Sequence, residues 1–335
     1  MTRLKAPAIP LLKVGLRLIV SAGALYAVLR NVQIEHMVEN FSGLSPLPVI
    51  AAVGVLLSTW PLAIWRAQLM LPEQLVDRWR VALDSYAIGA LGNFLAPMRG
   101  GDLVRCYIVS SRSSNISFSA ALGTVVMEKI FDLVTVVLIV GAWSLVAIVP
   151  AWVSTAILAL GCVLLVGLLL FFFSDRITKL AGTYTTIGFG SALLSKLTTL
   201  SDEFRLGVKG ARKRGTLAMV VIQTLILQIL GGAFFYVLGA SLGVEIGFLE
   251  SLVVSALAGL AFAVPAAPGA IGTYEFAVVF GLNIFGFDDG SALAFAISAH
   301  SAVLVMGALI GGLAATAYPG GFKAATRGPY SNRPK

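Results

Sequence analysis

Val264-Pro265-Ala266-Ala267-Pro268-Gly269-Ala270-Ile271-Gly272-Thr273-Tyr274-Glu275 interrupts an apolar run that extends from about Leu249 to Phe287. Proline removes a backbone donor and disfavours the helical conformation just before it, while Gly269 and Gly272 tolerate dihedrals closed to other residues. The stretch therefore predicts a broken helix. Hydrocarbon cannot satisfy the backbone groups that such a break frees, so protein or a water-filled cavity must surround it. That requirement makes it a candidate ligand site.

Working outward, the rest of the chain is apolar enough to place the break in a bilayer. Of its residues 58% are hydrophobic and 12% charged, the mean hydropathy is +0.92, and several runs exceed what a ~30 Å hydrocarbon core requires. This is the composition of an all-α polytopic membrane protein with no separate soluble domain. The net charge of +8 then reports topology before it reports nucleic acid, and no nucleic-acid partner is expected. Cys106 and Cys162 stand far apart and suggest neither a disulfide framework nor a metal site.

Full spans are read at roughly 11–30, 47–66, 117–147, 151–173, 215–241 and 290–318. The first is read as uncleaved, because Arg3, Lys5, Lys13 and Arg17 continue far into the segment. Two apolar segments stand outside this scheme. One runs from Val81 to Pro97 and ends in Pro97-Met98-Arg99-Gly100-Gly101-Asp102; the other is the break at Pro265 to Gly272. With the N-terminus in the cytoplasm, nearly all lysines and arginines fall on the cytoplasmic side. Arg30 alone remains outside, beside Glu35, Glu39, Glu245, Glu250, Asp288 and Asp289. That asymmetry holds only if both irregular segments return to the side they entered. Both are therefore read as re-entrant helical hairpins, and both termini as cytoplasmic.

The scheme contains an inverted repeat within a single membrane domain of residues 1–335, with repeat 1 over about 11–147 and repeat 2 over about 151–318. Gly89-Ala90-Leu91-Gly92-Asn93-Phe94-Leu95-Ala96-Pro97 lies over Leu257-Ala258-Gly259-Leu260-Ala261-Phe262-Ala263-Val264-Pro265, each followed by glycines and an acid. Paired broken segments of this kind mark alternating-access transporters with a site near the midplane. The loop over about 174–214 carries leucines at helical spacing between charges. It reads either as an amphipathic helix on the cytoplasmic leaflet or as a helix packed on the spans.

Ionisable residues within the bilayer are expensive, and each is a functional candidate. Glu128 and Asp132 share a helix face, with Lys129 between them. They would take a proton, a cation or an arginine, or form a local ion pair. Arg99 and Arg105 flank Gly100-Gly101-Asp102. Their planar forks suit a phosphate, and Gly100 and Gly101 allow close backbone approach to it; the alternatives are that both arginines only obey the positive-inside rule or pair with Asp102, Glu128 or Asp132. The half-helix that begins near Gly272 would present free N–H groups to an anion unless Glu275 satisfies them, and Glu275 would alternatively receive a proton or the amine of a headgroup. His300 reads as a structural imidazole or a pH-sensitive one, and Gln223 and Gln228 as interhelical hydrogen-bonding groups. The chain has no P-loop, dinucleotide fingerprint, His/Cys metal spacing or nucleophile elbow. No enzyme, cofactor or metal is therefore expected.

Three motifs occur in order: Asn93-x3-Pro97-x-Arg99-Gly100-Gly101-Asp102-x2-Arg105, Glu128-Lys129-x2-Asp132, and Pro265-x2-Pro268-Gly269-x2-Gly272-x2-Glu275. Together they resemble the lysylphosphatidylglycerol synthase transmembrane family, also called flippase-like membrane proteins, over about residues 10 to 320. The resemblance implies a multi-pass protein of the bacterial inner membrane related to a domain that moves aminoacylated phosphatidylglycerol between leaflets, with relatives tied to polyprenyl-linked sugars. It also implies an anionic or polyprenyl-phosphate lipid as ligand, and a lipid-modifying enzyme as a partner to look for. Carried over by position, Asn93, Pro97, Arg99, Asp102, Arg105, Glu128, Asp132, Pro268, Gly269, Gly272 and Glu275 become site candidates. Asp102 stands where the family commonly has Glu, and Pro268-Gly269-Ala270 where Pro-Gly-Gly is usual.

Overall fold

The computed structural model describes residues 45–73, 75–96, 99–113, 116–145, 154–166, 214–262 and 267–318, with residues 26, 151 and 169. The span read at 11–30, the loop at 174–214, Pro97 and Pro265 lie outside the described residues. Among those described, all regular structure is helical.

Helix α1 (Pro46–Met70) starts with proline at its first position, where the missing N–H has no intrahelical partner to lose. It carries Pro61 inside, and it ends where Arg78 donates to the carbonyls of Gln68 and Leu71 at 2.7 and 2.8 Å. Helix α2 (Arg78–Leu95) begins on Asp77, whose carboxylate accepts from the Arg80 N–H, and it stops before Pro97. Helix α3 (Gly100–Ser111) follows after Arg99, whose φ of 53° turns the chain back. Helix α4 (Phe118–Ser144) is capped by the Ser117 hydroxyl. A short apolar helix, α5 (Ser154–Val166), occupies part of the span read at 151–173.

The second half uses the same devices. Helix α6 (Arg214–Leu242) ends at Gly243, with φ 68°. Helix α7 (Phe248–Ala261) is capped by Glu250 on the Gly247 N–H. The described part of the break, from Ala267, forms a 3-10 turn, Pro268–Ala270, before helix α8 (Thr273–Ile284). Helix α9 (Asp289–Ala317) starts on the Asp288 carboxylate, which accepts from the Ser291 N–H at 2.9 Å.

Among the described residues, three helices are long and apolar enough to cross a membrane: Pro46–Met70, Gly215–Leu242 and Asp289–Ala317. Helix α4 has the length, but Glu128, Lys129 and Asp132 interrupt its apolar surface. Large apolar side chains face outward, including the Val305, Leu309 and Leu313 stripe of α9, while Ala292, Phe295, Ala296 and Ala299 of the same helix are buried. A water-soluble protein hides such a stripe; a multi-pass membrane protein exposes it to lipid.

The two helix–break–helix units each fold onto themselves, α2 on α3 and α7 on α8. Exchange α1 with α6, α2 with α7, α3 with α8 and α4 with α9, and the major helix pairings map onto one another. Thus α1–α2 maps onto α6–α7, α3–α4 onto α8–α9, α2–α9 onto α7–α4, and α1–α6 onto itself. The contact between α2 and α3 is glycine on glycine. A Cβ at Gly101 would collide with the Gly89 carbonyl and the Asn93 backbone, and one at Gly92 would meet the Gly101 Cα at 2.8 Å. Gly101 thus serves helix packing, where its sequence context had suggested room for a phosphate.

Candidate functional site

Arg105, on α3, donates to Glu128 of α4 through both terminal nitrogens, at 3.2 and 2.7 Å. Arg66, on α1, reaches the same carboxylate at 3.3 Å, Asp132 at 2.5 Å and the Thr224 hydroxyl of α6 at 3.1 Å. Glu128 and Arg66 are 2% and 3% exposed, so each charge has been taken out of solvent and depends on the other for compensation. Four helices meet at this cluster. Of the roles the sequence left open, Glu128 and Asp132 receive arginine here, and Arg105 has its fork on a carboxylate.

Arg66 is the member that sequence reasoning missed, having been counted only as a cytoplasmic charge. A signal was present: Ala63 and Met70, three before and four after it, are buried on the same face of α1.

Asp102 stands at one side of this cluster. It lies 3.3 Å from the Arg99 Nε and 3.9 Å from Arg105, and it faces the Asn93 amide at 3.5 Å. Lys129 is 3.9 Å from Asp132. At ordinary protonation Arg66, Arg99, Arg105 and Lys129 carry one more charge than Asp102, Glu128 and Asp132 balance. Arg99 meets Asp102 through Nε, and its two terminal nitrogens have no hydrogen-bond partner among the described residues.

Arg99 lines a cavity of about 400 Å³. Its walls come from α1 through Trp60, from α2 through Tyr86 and Asn93, from the second break through Phe262 and Gly269, and from α9 through Leu304. Tyr86 separates cavity from ion cluster, with the Arg105 guanidinium 4.9 Å from its ring centre. Both breaks read from the sequence therefore open onto one space. Asn93, Arg99 and Gly269 line it; Asp102, Arg105, Glu128 and Asp132 stand behind its wall, and Pro268 opens the 3-10 turn that carries Gly269.

At the second break, Glu275 accepts the Gly272 N–H at 2.6 Å, so that donor is engaged within the chain. The other Glu275 oxygen lies 2.6 Å from His300 Nδ1, and His300 Nε2 lies 2.8 Å from the Gly269 carbonyl. The Tyr274 ring stacks on the imidazole at 4.2 Å. Gln228 donates to the Ser255 hydroxyl across α6 and α7, whereas the buried Gln223 amide has no partner among the described residues.

A family model described as "Lysylphosphatidylglycerol synthase TM region" matches residues 14–311. The chain is 24% identical over 225 residues to UPF0104 membrane protein MJ1078 of Methanocaldococcus jannaschii, covering 65% of this chain and 92% of that protein. It is 32% identical over 124 residues to Glycosyltransferase AglD of Haloferax volcanii, covering 36% of this chain but only 19% of AglD. No solved structure matches. The family match covers most of the chain, and the chain belongs to the lysylphosphatidylglycerol synthase transmembrane-region family.

Proposed function

We propose that this protein moves a phosphate-bearing lipid between leaflets through the cavity at which its two breaks meet. The observation that carries the reading is Arg99: a guanidinium whose terminal nitrogens are unengaged among the described residues, on a largely apolar wall, where the two breaks meet. Arginine binds phosphate oxygens through its planar fork, and the excess positive charge of the cluster favours an anion there. Arg105, Glu128 and Arg66 hold the hairpin to its neighbours so that Arg99 is presented.

In this reading six spans and two re-entrant hairpins form inverted repeats, and the matched helix pairings support the internal two-fold relation. The protein sits in the bacterial inner membrane with both termini cytoplasmic, and it is a transporter without enzymatic chemistry of its own. The likeness to a segment of a glycosyltransferase favours lipid-linked sugars within the substrate class, with a lipid-modifying enzyme as partner.

The test is leaflet exchange by the purified protein in liposomes, with a panel of headgroup-labelled phospholipids and polyprenyl phosphates. Transfer of one class supports the reading. Transfer of a water-soluble anion with no lipid exchange replaces it with a solute transporter, and inactivity of folded protein that is relieved only by a membrane enzyme replaces it with a lipid-presenting partner.

A further inference from the structure

We propose that Glu275 and His300 form a proton site that couples opening of the second break to proton release; the inference rests on the transport reading above. A carbonyl oxygen only accepts, so His300 Nε2 carries the hydrogen that it directs at Gly269, 2.8 Å away. A single further proton then lies between Nδ1 and the Glu275 carboxylate, 2.6 Å apart. Whichever atom holds it, the pair is neutral. The second Glu275 oxygen is committed to the Gly272 N–H. One proton thus ties together a carbonyl and an N–H on the two sides of the break.

The geometry that this proton holds is a demanding one. Gly269, Ala270 and Gly272 have φ of 69°, 59° and 89°, all in the region that side chains disfavour. Gly269 also lines the cavity, so release of its carbonyl alters the cavity wall. The pair is enclosed by Tyr274, stacked on the imidazole, and by the Phe262 ring edge.

Charged groups on the packed elements are committed elsewhere. Arg99 lies beyond Phe262, 6.0 Å from that ring, beside Asp102. On α7, Glu250 caps Gly247; at the start of α9, Asp288 holds Ser291 and Asp289 accepts from Asn283 of α8. On α2, Asp84 takes Arg80 and Arg112, and Arg78 caps α1; Arg66 of α1 is held by Glu128 and Asp132.

Removing the shared proton sets an imidazole lone pair against a carboxylate in an apolar enclosure, and the contact breaks. Once the two groups are separated and wetted, the proton that bridged them leaves to water. The closed break binds one proton more than the open one, so lowering the pH from 8 to 6 favours closure.

The same helix positions recur in the first half. Asp102 and Glu275 are each the third residue of their half-helix, and Lys129 and His300 are each the twelfth residue of the long helix that follows. An acid and a base thus occupy matched positions at both breaks. Only the second base is an imidazole, whose ordinary titration falls within the working pH range.

The experiment labels a cysteine placed at Ala90, which lines the cavity, and normalises its rate to a cysteine placed at Val76, which is exposed in the turn between α1 and α2, with Cys162 replaced by serine in both. We expect the normalised rate to fall several-fold from pH 8 to pH 6 in the otherwise native chain, and to be flat with Glu275→Gln or His300→Gln. A flat native response, or an unchanged response in both variants in the folded fraction, overturns the proton site. Labelling needs no transport: pH-dependent labelling without lipid exchange removes the transport reading and keeps the site, while exchange with flat labelling does the reverse. In liposomes that exchange lipid, a pH gradient accelerates exchange and an internal dye reports proton entry; neither effect survives His300→Gln.

Discussion

Arg105 grips Glu128 with both terminal nitrogens although the two are 23 positions apart, and in doing so it ties the half-helix after the first break to the helix that follows. Arg66 closes the same carboxylate from the opposite side. Breaking one member of a buried set leaves uncompensated charge, which costs about 3–5 kcal/mol. Glu128→Ala strands two arginines and should lower the thermal midpoint in detergent the most. Asp132→Ala should cost much less, because that side chain is 36% exposed and Arg66 keeps Glu128 and Thr224. Unfolding midpoints of the two variants, measured side by side, check the order.

Gly101→Ala tests the glycine contact between α2 and α3. The added methyl meets backbone, which has no room to yield, so a loss of about 1–3 kcal/mol is expected together with impaired transport. Gly259→Ala is the control. Nothing lies within 4 Å of its Cβ position, and in a helix that change should gain about 0.5–1 kcal/mol. Thermal unfolding of the pair reads both.

Gly272→Ala places a side chain at φ 89°, and Gly269→Ala places one at φ 69° with Leu304 at 3.3 Å. Each should cost about 1–3 kcal/mol of backbone strain. The loss concentrates at the break, so limited proteolysis should cut the 267–272 segment faster in both variants while α1 and α6 resist as before.

Arg99→Lys keeps the charge and loses the fork. Exchange should fall to a level between the native protein and Arg99→Ala, and the thermal midpoint should stay near native, since Arg99 contributes only one half-exposed contact to Asp102. Exchange rates and midpoints from the same preparations check this.

Local features were legible in the sequence, and long-range partnerships were not. Pro265 and Pro268 with Gly269 and Gly272 announced the second break, and Asn93 to Asp102 the first, because proline and glycine act on their own backbone. The inward turn of Arg66 was hidden because an arginine at the end of an apolar run also satisfies the topology of a loop. His300 looked solitary for a related reason: its partners Glu275 and Gly269 are brought to it by the fold of α8 onto α9, and no spacing within α9 encodes them. Gly101 was read toward a ligand because glycine permits close approach without naming what approaches.

The most direct test of the central claim is leaflet exchange in liposomes, run in parallel for the native protein and Arg99→Ala with the lipid class that the native protein transfers. A charge-assisted contact of about 1.5–3 kcal/mol corresponds to roughly a tenfold to hundredfold loss of exchange, with the thermal midpoint kept. Undiminished exchange by folded Arg99→Ala would contradict the account, because it would place the phosphate elsewhere than at the meeting point of the two breaks.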